Sequence, residues 1–240
     1  MKKILTILKW GFILLLVVIV VLLIGINILT NQAEDSMYDQ IENDINETDD
    51  YFIVNGAQHD TTIVYYPGGL VTPESYLLQA DMLASNNFRV IIPKMPFNLA
   101  ILNRFVFLDI YDNNVGAFYL AGHSLGGASA AYVAKEHSDK LEGLIFLAAY
   151  APSSVDLSNI DLPILSVSAE KDGVMNWDRY ESTKSLLPDT TIYENIEGGN
   201  HAQFGYYGTQ RGDNESAITV YEQHKIVTEL IQSFVDSHQE

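Results

Sequence analysis

Ser124, Asp172 and His201 are the residue types, beside the kinds of neighbour, that nucleophilic acyl transfer requires, in the chain order expected when the serine sits on a strand-to-helix turn. Ser124 is the centre of Gly122-His123-Ser124-Leu125-Gly126, a G-x-S-x-G pattern between an apolar run and a stretch of small residues. A serine hydroxyl is a weak nucleophile. It needs a base to take its proton, and the base needs a carboxylate to orient it. Asp172 follows the apolar run "ILSVSA" and precedes Gly173, which makes it the loop residue of a turn. Glu170, two residues earlier, is the rival acid. His201 lies in "IEGGNHAQFGYYG", with glycines on both sides. Of the other histidines, His59, His137, His224 and His238 read as surface or helix positions, and His123 diverges from its neighbour Ser124 on the turn.

Acyl transfer also needs donors for the oxyanion. The amide of Leu125, next after Ser124, is one candidate. "YYPGGLV" supplies the second, from Gly69 or Leu70. Each feature has a plainer reading: a small-residue turn at 122–126, an Asx turn at Asp172, a solvated loop histidine at 201, a β-turn at 68–69. Their agreement in order and context favours chemistry.

These side chains must be held by strands that end, and helices that begin, beside one another. Short β-branched or aromatic runs occupy 61–67, 88–93, 115–122, 141–149, 162–170 and 190–197. Helix-like stretches at 73–87, 98–114, 124–139, 176–187 and 216–237 alternate with them. Such alternation predicts an α/β fold: a mostly parallel central sheet with helices on both faces. Ser124 then sits at a strand-to-helix corner, Asp172 after a later strand, and His201 on the loop before the last helix.

The N-terminus is of another kind. Lys2, Lys3 and Lys9 precede an uncharged apolar run from Trp10 to Leu29, long enough as a helix to cross a bilayer. The division expected is a basic flank at 1–9, a transmembrane anchor at 10–29, an acidic stalk at 30–50 and one domain at 51–240. A cleaved signal peptide is the alternative, but Asn31 and Ala33 make a poor cleavage site. The lysine flank predicts a cytoplasmic N-terminus and an extracellular domain, hence a single-pass cell-membrane protein. Against 13 Lys and Arg stand 31 Asp and Glu, all of them after the span, and the net charge is −18. Such a surface repels nucleic acid and anionic headgroups, so no nucleic-acid partner is expected and the membrane is met through the helix alone. The chain has no cysteine, which excludes disulfides and thiol nucleophiles. No histidine–carboxylate cluster has the spacing of metal ligands, so neither metal nor cofactor is expected.

The segments "YYPGGLVTPESY", "IIPKMPFNLAIL", "AGHSLGGASAA", "SAEKDGV" and "GGNHAQFGYYGTQRGD" resemble the α/β-hydrolases, and among them the small bacterial "fold-5" branch, related in design to dienelactone hydrolases. The resemblance covers about residues 60–235. It implies acyl hydrolysis with Ser124 as nucleophile, His201 as base and Asp172 as orienter. The chain departs from the wider superfamily at Pro67, which stands where a histidine commonly opens the oxyanion loop. Between Ala149 and Leu162 there is too little chain for a helical cap with its own core. Phe204 and Tyr207, with Tyr206, are expected to wall a shallow pocket, and Gln210 to lie at its rim. That pocket suits a small-molecule acyl substrate, a short ester or lactone, rather than a long-chain lipid. An envelope acyltransferase using the same triad is the alternative, as is a surface binding module that keeps the fold without its chemistry.

Overall fold

The computed structural model describes residues 2–57 and 60–238, so His59 lies outside the described residues. The chain divides into two units, Met1–Thr30 and Asn31–Glu240. The first is one helix, α1 (Lys2–Leu29). Its stretch Leu8–Leu29 is long and apolar enough to cross a membrane.

The second unit is built on one sheet of eight strands: β1 (Ile45–Glu47), β2 (Tyr51–Asn55), β3 (Thr61–Tyr66), β4 (Arg89–Pro93), β5 (Ala117–His123), β6 (Gly143–Leu147), β7 (Ile164–Ala169) and β8 (Ile192–Ile196). Their spatial order is β1-β2-β4-β3-β5-β6-β7-β8. β1 and β2 pair antiparallel, as do β2 and β4; every other pairing is parallel. Among the described residues the further α-helices are α2 (Leu77–Ser85), α3 (Val106–Asp112), α4 (Leu125–His137), α5 (Trp177–Thr183) and α6 (Val220–Asp236).

Both faces of the central strands are covered, which is why β3, β6 and β7 are buried along their whole length. Alternate residues divide between two cores. Ile63, Tyr65, Tyr119 and Ile145 pack with α2 and α6 through Leu78, Leu83, Val227 and Ile231. Val64, Tyr66, Leu120 and Phe146 face the other way, toward Phe107 of α3 and Ala130 and Val133 of α4. α6 starts at a capping box: Thr219 Oγ1 accepts from the Glu222 amide, and Glu222 Oε2 accepts from the Thr219 amide.

One expectation is corrected. Residues 30–50 are not a solvated stalk: from Asn31 onward they fold as part of the second unit. The Asn31 amide donates to Leu70 O (2.8 Å), and the Thr72 amide donates to Asn31 O (3.0 Å). Asp35–Gln40 forms a 3-10 helix whose Met37 is fully buried, with Ile41 and Ile45 packed against the same core. The buried Asp81 of α2 accepts from the amides of Glu42 (3.1 Å) and Asn43 (2.7 Å), and β1 then pairs with β2. A few apolar side chains at the right spacing, with one buried carboxylate, outweigh the acidic composition of the rest.

Candidate active site

β5 carries the chain to His123, and α4 begins at Leu125. Ser124 makes the whole corner, at φ 51° and ψ −117°, outside the regions a serine ordinarily adopts. Its amide donates to Leu147 O of β6 (3.0 Å). The glycines on either side are required by close approach. A Cβ on Gly122 would strike the Gly127 amide, and one on Gly126 would strike Tyr66 O. The turn therefore closes only with bare backbone at both positions, and it leaves Ser124 half-buried at the C-terminal end of a central strand.

Asp172 lies three residues beyond β7, and His201 lies on the loop after β8. They meet: His201 Nδ1 and Asp172 Oδ2 are 2.7 Å apart, with both side chains almost wholly buried. The other carboxylate oxygen, Oδ1, accepts from the amides of Val174 (2.8 Å) and Met175 (2.7 Å), which fixes the plane of the group. Glu170 is engaged elsewhere. Its oxygens take the Lys171 ammonium (2.9 Å) and the Gly198 amide (2.9 Å), and these bonds hold its carboxyl below the usual carboxylate range. Ser124, Leu125 and His201 line one cavity of about 270 Å³, completed by Ala128, Ala148, Ala149, Tyr150, Val174, Met175 and Asn176.

The amides of the loop after β3 differ in their engagement. The Gly68 amide donates to Tyr76 Oη (2.8 Å), and the Leu70 amide to Asn98 O (2.8 Å). Of the three amides at 68–70, that of Gly69 alone makes no hydrogen bond among the described residues, and Gly69 lies against the Leu125 side chain.

His123 points away from the cavity. Having accepted from Gly68, Tyr76 Oη donates to His123 Nδ1 (2.9 Å). Burial, reinforced by repulsion from His201, holds its imidazole well below the usual histidine range, so it is neutral. Its ring lies 4.7 Å from that of His201 and stacks on Phe204 at 5.6 Å. The sequence shows only the adjacency of His123 to Ser124, not this support beneath His201.

The expected aromatic wall is corrected. Phe204 is fully buried in the core, and its carbonyl accepts from Tyr65 Oη (3.3 Å). Tyr207 is buried too, with Oη donating to Gln210 Oε1 (2.9 Å). Neither reaches the cavity of Ser124. The residues that do, at 148–150 and 174–176, follow β6 and β7, where "AAY" and "VMN" carry no pattern of their own.

Solved structures share this architecture. A predicted CIB-like hydrolase from Thermoplasma acidophilum aligns with a TM-score of 0.59 at 16% identity, over 80% of this chain and 98% of its own. Dienelactone hydrolase from Anabaena variabilis aligns at 0.58 and 12%, over 84% and 99%. Carboxylesterase CesB from Bacillus subtilis aligns at 0.58 and 14%, over 83% and 96%. At such identities the likeness is one of fold. No curated protein matches the sequence. The family described as "Alpha/beta hydrolase family" matches residues 62–225, from β3 through the serine corner and both loops into α6, and the chain belongs to that family.

Proposed function

We propose that this protein is a serine hydrolase that cleaves small carboxylic esters or lactones through an acyl-enzyme on Ser124. The observation that carries the reading is the buried 2.7 Å contact between His201 and Asp172, with His201 lining the same cavity as Ser124. Commitment of Nδ1 to the carboxylate leaves Nε2 for the serine. Ser124 Oγ adds to the ester carbonyl as its proton passes to Nε2. The amides of Leu125 and Gly69 receive the oxyanion. Collapse expels the alcohol, which takes the proton from His201, and water repeats the sequence to release the acid.

The cavity supports a short acyl group. About 270 Å³ lies just under the usual range for drug-sized ligands, and its walls are mainly Ala, Leu, Val and Met. The carboxylesterase among the similar structures agrees with ester chemistry by name. We assign α1 as an uncleaved anchor, with the lysine flank in the cytoplasm and residues 31–240 outside the cell membrane.

The test is labelling by a fluorophosphonate probe. Wild-type protein is expected to be labelled at Ser124, and Ser124→Ala to lose both the label and about 10⁴–10⁶-fold of its ester turnover. Full activity in Ser124→Ala would end the assignment.

A further inference from the structure

The loops that carry Asp172 and His201 come from different strands, and only their side chains complete the pair. A third loop grips both. Asp213 Oδ1 accepts from the Gly173 amide (2.9 Å) and from its own neighbour, the Asn214 amide (3.0 Å). Asp213 Oδ2 accepts from the Ala202 amide (2.8 Å). Asn214 continues the grip on the other side of each residue. Its Nδ2 donates to Lys171 O (3.0 Å), and its carbonyl accepts from Asn200 Nδ2 (2.8 Å). Lys171 and Gly173 flank Asp172; Asn200 and Ala202 flank His201. Two consecutive residues thus bind the chain before and after both members of the pair.

We propose that Asp213 is a positioning residue, whose carboxylate sets the separation of the Asp172 and His201 loops and so the geometry of the histidine–carboxylate bond. It touches only peptide amides in those loops, and an ionised acceptor makes such bonds shorter and stronger than a neutral one. Each of its oxygens serves a different loop, so one carboxylate spans what no neutral side chain of the same size can. An asparagine offers one acceptor oxygen and turns a donor toward the other amide. The inference rests on the reading of His201 as the base, and it makes catalysis sensitive to a residue that lies outside the cavity.

The test uses the full chain in detergent, with Asp213→Ala, Asp213→Asn and Glu215→Gln, the last an exposed acid of the same loop. Turnover of p-nitrophenyl acetate and the downfield imidazole N–H resonance of His201 are read beside thermal unfolding. Asp213→Ala is expected to lose about 10²-fold in kcat, the scale of a small misplacement of a reacting group, with KM within about twofold. Its resonance should shift or vanish while the protein still unfolds cooperatively, and Glu215→Gln should match wild type. If Asp213→Ala does not fold, Asp213→Asn is read by the same criteria. Wild-type kcat and an unmoved resonance in a folded variant overturn the proposal. So does an equal loss in Glu215→Gln. If Ser124→Ala keeps its activity the functional reading fails, and the resonance alone then decides the role of Asp213.

Discussion

Acid should destabilise this protein through a histidine that has no part in the proposed chemistry. His224 of α6 is fully buried, and neither ring nitrogen makes a hydrogen bond of ordinary geometry. Burial pulls its pKa down to about 4; the nearby backbone of Gly205 and Gln203 offsets this only in part. An unfolded chain takes up a proton on this side chain near pH 6.5, while the folded one refuses it until about pH 4. The sign follows: the contribution is complete above about 6.5 and is lost progressively as pH falls toward 4. At about 1.4 kcal/mol per unit the whole window is worth about 3 kcal/mol, and about 2 kcal/mol is gone by pH 5. That is a large share of the 5–15 kcal/mol typical of a domain. The perturbation is His224→Leu, which keeps an apolar side chain of similar size and cannot titrate. Urea unfolding followed by Trp177 fluorescence gives stability at each pH. Between pH 7 and 5 wild type should lose about 2 kcal/mol more than His224→Leu. Other buried groups shift both proteins alike, except His123, on which His224 is the smallest of the influences that hold its pKa down, so the difference is dominated by one side chain. Parallel curves for the two proteins would refute the reasoning.

Three further outcomes are expected. Asp172→Asn should lower kcat by about 10⁴-fold by presenting the wrong histidine tautomer, whereas Glu170→Gln, removed from His201, should stay near wild type; the reverse ranking moves the role to Glu170. Across p-nitrophenyl esters kcat/KM should peak at short acyl chains, because a methylene contributes its ~0.8 kcal/mol only where it can be buried; a steady rise to long chains would reveal an apolar tunnel. Met37→Ala should cost about 2–5 kcal/mol of stability in urea unfolding, as a buried methionine does, and an unchanged midpoint would return residues 31–50 to solvent.

The parts of the site legible in the sequence were those governed by local backbone chemistry. Gly122 and Gly126 announce the corner because their neighbours leave no room for a Cβ. The Asp172-Gly173 pair marks a turn whose amides at 174 and 175 bind the carboxylate, which is why Asp172, not Glu170, faces His201. Less legible was anything decided by a distant partner. Phe204 and Tyr207 follow His201 closely, yet which way an aromatic turns depends on the core beneath it, here Tyr65 and His123. Strand β2 and the packing of Met37 are hidden in the sequence because the acidic residues around them dominate any window average. The clasp at 213–214 is written only in three dimensions, since its four partners lie on two other loops.

The folded segment at 31–40 fixes where the polypeptide tolerates a nick. Asn31 is already bonded to both sides of Val71, and the Glu34 amide donates to Tyr206 O (3.0 Å). Gln40 then donates to Tyr206 Oη (3.1 Å). A protease acting in 35–45 would sever the segment that seats Met37, Ile41 and Ile45 on the core from the stretch at 31–34 that bonds the loops after β3 and after His201. Composition recommends a soluble form beginning at residue 51, but that form discards Met37, β1 and the partner of Asp81 together. A secreted or recombinant version that keeps its working parts in register must retain the polypeptide from Asn31 onward.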